Sequence, residues 1–76
     1  MELDTEKIDR AVLALMYLGV HEEWRAWKGF DWDAMNRLHE KGFISDPVGK
    51  AKSVVFTEAG RDQARQLLAE LFGRQQ

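Results

Sequence analysis

Seventy-six residues, no cysteine and a formal net charge of −2 bound the problem before any pattern is read. A chain of this length makes one small domain with a modest core, and without cysteine neither disulfides nor thiolate metal sites support it. The acidic balance argues against a strong autonomous nucleic-acid binder, and no apolar run approaches the roughly 20 residues of a membrane span.

The amino terminus, MELDTEK, is acidic and polar and lacks the basic start and apolar core of a signal peptide. A soluble, cytoplasmic protein is therefore expected, as a single domain over residues 1–76 with a polar tail at 73–76. A first helix is expected from Asp4 to Leu18, with Asp4 as N-cap and Leu3 stapled to Ile8. Its main apolar stripe is Ile8, Ala11, Val12 and Leu15, flanked by Met16 and Leu18. Leu13 and Tyr17 lie on another side, so the helix is covered twice, either by the last helix of the same chain or by a second copy.

Gly19-Val20 breaks this helix, and His21 to Lys28, HEEWRAWK, is long enough for a two-turn helix. Trp24 and Trp27 would then share a face. With Trp32 they offer a large aromatic area, either for the core or, at Trp32, as an exposed anchor for a partner.

The helix from Trp32 to Lys41 has both ends written in the sequence. Asp31 is its N-cap, Phe30 and Met35 form a staple, and Gly42 suits the left-handed position that closes it. Ala34, Met35 and Leu38 share one face, with Asp33, Asn36, Arg37 and Glu40 opposite. After Gly42 the period changes. Phe43-Ile44 begins an extended run, Asp46-Pro47 interrupts it, and Val48 to Lys52 reads as a turn tip. Ser53-Val54-Val55-Phe56 is β-branched and aromatic and returns as a strand, giving a β-hairpin. Thr57 then caps a last helix from Glu58 to Phe72, whose apolar face is Gly60, Ala64, Leu67, Leu68 and Leu71, with Gly73 as its stop.

The fold expected is mainly α with one β-hairpin. The segments Leu38-His39-Glu40-Lys41-Gly42-Phe43-Ile44 and Val54-Val55-Phe56-Thr57-Glu58-Ala59-Gly60 resemble winged-helix regulators of the MarR and PadR type. That resemblance implies a winged helix-turn-helix order, three helices, a wing and a fourth helix, in which the first segment ends a DNA-reading helix and the second returns from the wing. Residues 25–58 also resemble a family of small bacterial proteins known only as a domain of unknown function.

Two functions compete. As a DNA-binding or transcription-regulatory protein, the chain would read bases with Asn36 and Arg37 and touch phosphate through Lys41, Lys50, Lys52, Arg25 and Lys28. Asp33 and Arg37, spaced i, i+4, could instead pair with each other. So few contacts make a monomer weak, so a homodimer is implied. As an adaptor, the same fold would bind a protein partner without DNA, through Leu13, Tyr17 and Trp32.

Enzymatic readings find little support. HEEWR opens like a zinc-protease helix, but Arg25 stands where the second histidine is needed. Ser45 and Ser53 have no evident base, PVGKAKS is too short and glycine-poor for a phosphate loop, and Glu22-Glu23 reads as helix-start charge. No catalytic residue, metal site or cofactor is expected.

Overall fold

The computed structural model of the chain describes residues 1–74, so the last two residues of the expected tail lie outside it. Among the described residues the order is α1 (Thr5–Leu18), β1 (Arg25–Trp27), α2 (Trp32–Glu40), β2 (Ser53–Val55) and α3 (Glu58–Phe72). No helix of these residues is long and apolar enough to cross a membrane.

The expected caps form. Asp4 accepts from the Lys7 amide at 3.1 Å, Asp31 from Ala34 at 3.0 Å, and Thr57 from Gly60 at 3.0 Å. At the end of α2, Gly42 takes φ +80°, its N–H donates to His39 O at 2.9 Å, and Phe43 N–H donates to Leu38 O at 3.0 Å. That pair of bonds is the Schellman closure, which satisfies two otherwise orphaned carbonyls.

Four helices were expected, and three form among the described residues. His21–Lys28 is not a helix. His21 and Arg25 bond to each other through both backbone groups, at 2.8 and 2.9 Å, around a turn in which Glu22 and Glu23 take φ of 47° and 68°. Beyond the turn β1 runs antiparallel to β2, with Arg25 opposite Val55, Ala26 opposite Val54 and Trp27 opposite Ser53. The two tryptophans follow the strand alternation and its turn instead of a helical face. Trp27 is exposed, and Trp24 is half-buried with the Arg61 guanidinium 4.6 Å above its ring. The helix-turn-helix pair expected from the resemblance therefore lacks its first helix.

The sheet also differs from a local hairpin. The principal partner of β2 is β1, and the 43–44 run contributes a bridge between Ile44 and Phe56, extended by Ser45 N–H donating to Val55 O at 2.8 Å. Pro47 is buried, which folds the start of the connecting loop against the body.

α1 packs most extensively on α3 and next on α2. Its buried side is Asp9, Val12, Leu13, Ala14 and Met16, rotated from the expected stripe. Leu15 and Leu18 are exposed, whereas Leu13, expected as a partner surface, is a core residue at 1% exposure. The rotation follows from two helices needing to be covered at once: Val12, Leu13 and Met16 meet the buried Met35, Leu38, Phe56 and Leu67 in one apolar cluster. Tyr17 reaches the same core, its ring tilted on Phe56 at 6.4 Å between centroids.

One glycine sets how α3 joins the rest. A β-carbon on Gly60 would lie 1.8 Å from the Phe43 carbonyl oxygen. That carbonyl accepts Thr57 N–H at 3.0 Å, while the Thr57 hydroxyl donates to Gly42 O at 2.6 Å. The first turn of α3 is thus bonded directly to the chain reversal that ends α2.

Candidate functional site

Three places gather chemistry. The first lies between α1 and α2. Asp9, 1% exposed, accepts two bonds from Arg37, Nη2 to Oδ1 at 2.7 Å and Nε to Oδ2 at 2.8 Å. Lys41 Nζ adds a third at 3.2 Å and reaches Glu6 at 3.4 Å. Burial by itself would raise the Asp9 carboxyl, but the hydrogen bonds and charges of Arg37 and Lys41 outweigh it and hold it below its ordinary value. The hydrogen bond to Asp9 correspondingly raises the Arg37 guanidinium. A cavity of about 260 Å³ opens beside this cluster over Leu13, Leu38 and Leu67.

This arrangement binds helix to helix. A forked guanidinium on a buried carboxylate fixes both distance and orientation. Arg37, a candidate base reader, is spent on Asp9, and so in part is Lys41. Asp33, the alternative partner considered for Arg37, is exposed on the same helix along with Glu40, and Asn36 is half-buried. The surface of α2 is accordingly acidic around its remaining polar groups.

The second place is the ribbon and the loop that joins it. Strand alternation turns Ala26 and Val54 inward and leaves Arg25, Trp27, Ser53 and Val55 on the other side. Arg25 donates to Ser53 Oγ at 3.2 Å and pairs with Glu22 at 3.4 Å. Lys28 and Lys52 are joined one step beyond the strands by a backbone bond of 3.1 Å, and Lys28 Nζ reaches Gly49 O at 3.4 Å. Lys50 is exposed in the same loop. Four of the seven candidate nucleic-acid contacts thus converge here, brought together by a pairing of β1 with β2 that the sequence did not reveal.

The third is an apolar seam along α1 and α3. Leu15, Leu18, Leu71 and Phe72 are exposed, and Leu18 reaches 69%. Leu15, Leu18 and Phe72 line a groove of about 630 Å³ with Tyr17, Leu68, Ala69 and Arg65, and Leu71 and Phe72 line a second one with Ala11. Of the candidate partner residues, Tyr17 lies half-buried at the first groove. Trp32, 48% exposed, opens α2.

Asp9 was the functional-looking residue that sequence reasoning passed over. Its signal was positional: Val12, Leu13 and Met16 follow it at i+3, i+4 and i+7, so it shares their face.

No solved structure matches the chain. It is similar to "Uncharacterized protein y4hR" of Sinorhizobium fredii (strain NBRC 101917 / NGR234), 54% identical over 74 residues that cover 97% of this chain and 100% of the relative. The pattern described as "Domain of unknown function (DUF6429)" matches residues 4–74, which contain the Asp9 cluster, the ribbon and the seam alike, and the chain belongs to that family.

Proposed function

We propose that the chain is a non-catalytic protein-interaction module that pairs with a second copy of itself across the outer face of α1 and α3. The observation carrying this is the apolar seam. Ile8, Ala11, Leu15 and Leu18 follow a three-four-three spacing, the spacing at which one helix lies along another. They run for about 15 Å at the rise of an α-helix. Leu68, Leu71 and Phe72 of α3 widen the strip. Its rim carries both signs, Lys7, Arg10 and Arg65 with Glu70, as a self-complementary twofold contact requires. The buried Asp9 cluster then stiffens the helix that bears the seam.

The test is sedimentation of the wild type and of Leu18→Glu over a wide concentration range. A wild-type dimer and a folded Leu18→Glu monomer are expected. A wild type that stays monomeric at the highest attainable concentration removes the proposal.

A second reading, association with nucleic acid as in a transcription regulator, is supported by the convergence of Arg25, Lys28, Lys50 and Lys52 at the ribbon. In that reading the domain is winged-helix-like with one helix fewer, and contact shifts from α2 to the ribbon, since Arg37 and Lys41 are occupied by Asp9. Dimerisation through the seam would double the cations presented.

A further inference from the structure

The ribbon also carries an aromatic feature that duplex binding would not use. We propose that Trp27 is a stacking platform for an unpaired base, so that the ribbon takes single-stranded nucleic acid. This deepens the second reading above and rests on it. Trp27 is 55% exposed at the end of β1, opposite Ser53, on the side of the sheet turned away from Ala26 and Val54. One side of its indole lies on His21, with centroids 4.2 Å apart and planes 23° from parallel. With His21 against the ring, Trp27 still keeps that exposure, so part of the indole is left to solvent. Every base offers a π-face to such a ring, whereas a base within a duplex has both of its faces covered.

The platform is held rigid. His21 makes two backbone bonds to Arg25, and its Nδ1 is 3.1 Å from Gly19 O. The turn that brings it over Trp27 contains Glu22 and Glu23, both in the left-handed region that non-glycine residues rarely adopt. Strain of this kind persists where the surrounding structure enforces it, and it concentrates at binding sites. Lys28 directly follows Trp27 and Lys52 precedes its cross-strand partner Ser53, so cations for the backbone of a strand lie next to the platform along the chain. Lys28, Lys50 and Lys52 form no ion pair with a carboxylate among the described residues, and Arg25 is partly neutralised by Glu22. Three free cations on a single strand give a salt slope of about −2, so binding is weak and best seen at low salt.

The experiment titrates labelled oligothymidylate, and a duplex of equal length, with the full chain at low salt. The variants are Trp27→Leu, Trp27→Phe and the double change Lys28→Glu with Lys52→Glu. Circular dichroism verifies that each is folded, and intrinsic fluorescence is followed in the wild type. Expected are binding of the single strand in preference to the duplex and quenching of wild-type emission. Trp27→Leu should lose about tenfold in affinity, Trp27→Phe should lose less, and the charge reversal should abolish binding. If the duplex binds equally and Trp27→Leu changes nothing, the stacking inference falls while nucleic-acid association through the cations stands. If neither nucleic acid binds the wild type, both fall.

Discussion

The cations of α2 and those of the ribbon are the same residue types put to opposite uses. Arg37 and Lys41 turn inward on Asp9, a carboxylate from another helix that has almost no contact with water. Lys28 reaches a backbone carbonyl, Lys50 and Lys52 are exposed, and among the described residues none of the three pairs with a carboxylate. The difference lies in the partner and not in the cation. A buried carboxylate left unpaired is costly, so its neighbours are fixed as structure; an exposed lysine near a carbonyl loses little by letting go. In this chain, cations at a predicted reading helix are therefore weaker evidence for a ligand than cations on a ribbon whose pairing is long-range.

Both regions hang from the contact of Gly60 with Phe43, and the largest effect is expected there. Gly60→Ala places a methyl group where the Phe43 carbonyl oxygen already stands. Backbone on both sides leaves no flexible side chain to yield, so the loss should be about 3 kcal/mol in urea unfolding. An alanine variant within about 0.5 kcal/mol of wild type would mean that the junction adjusts freely and that α2 and the ribbon are not held in one frame.

Next comes the carboxylate that separates the two groups. Asp9→Ala removes the acceptor of three charge-assisted bonds and should cost about 2 kcal/mol. Glu22→Ala, which breaks the exposed pair with Arg25 on the ribbon, should stay within about 0.5 kcal/mol. Acid sharpens the contrast. The Asp9 carboxyl is held below its ordinary 3.8, so its contribution is complete above that pH and is lost as pH falls through the lower folded value. The stability gap between wild type and Asp9→Asn should be constant through neutral pH and close only below 3.8. A gap that closes already near neutrality would show that Asp9 is not charged in the native protein.

How much of this was legible follows from which interactions are local. The caps at Asp4, Asp31 and Thr57 and the left-handed Gly42 are short-range devices, each read from one or two neighbouring residues, and each formed. HEEWRAWK failed as a helix because its conformation is decided by β2, which begins at Ser53, well along the chain. Helical spacing offers Arg37 either to a base or to Asp33, yet Asp9, far away in sequence, holds it, since a desolvated carboxylate outcompetes an exposed one for the same fork. For Leu13 the sequence leaves two readings open, cover by the last helix or a partner surface, because α1 carries apolar residues on most of its circumference and periodicity does not say which of two apolar faces the core will choose. The candidate sites inherit that ambiguity. Residue types pointed to cations and aromatics, but their grouping into an inward cluster, an outward ribbon and an apolar seam depended on contacts between distant segments.

The smallest expected effect tests the outward group on its own terms. Lys28→Ala together with Lys52→Ala should leave unfolding unchanged within about 0.5 kcal/mol. Among the described residues the side-chain bond at stake is Lys28 Nζ to Gly49 O, and at 3.4 Å in an exposed loop it is near the limit of useful geometry. The backbone bond between Lys28 and Lys52 survives truncation of both side chains. Should the double variant instead lose as much stability as Asp9→Ala, these lysines would be anchoring the loop that follows Pro47. They would then belong with Arg37 and Lys41 as structural cations, and the ribbon would have no spare charge to offer a ligand. Unchanged stability combined with lost oligonucleotide binding is the outcome that separates the two groups, because it assigns the ribbon cations a cost only when something outside the chain is present.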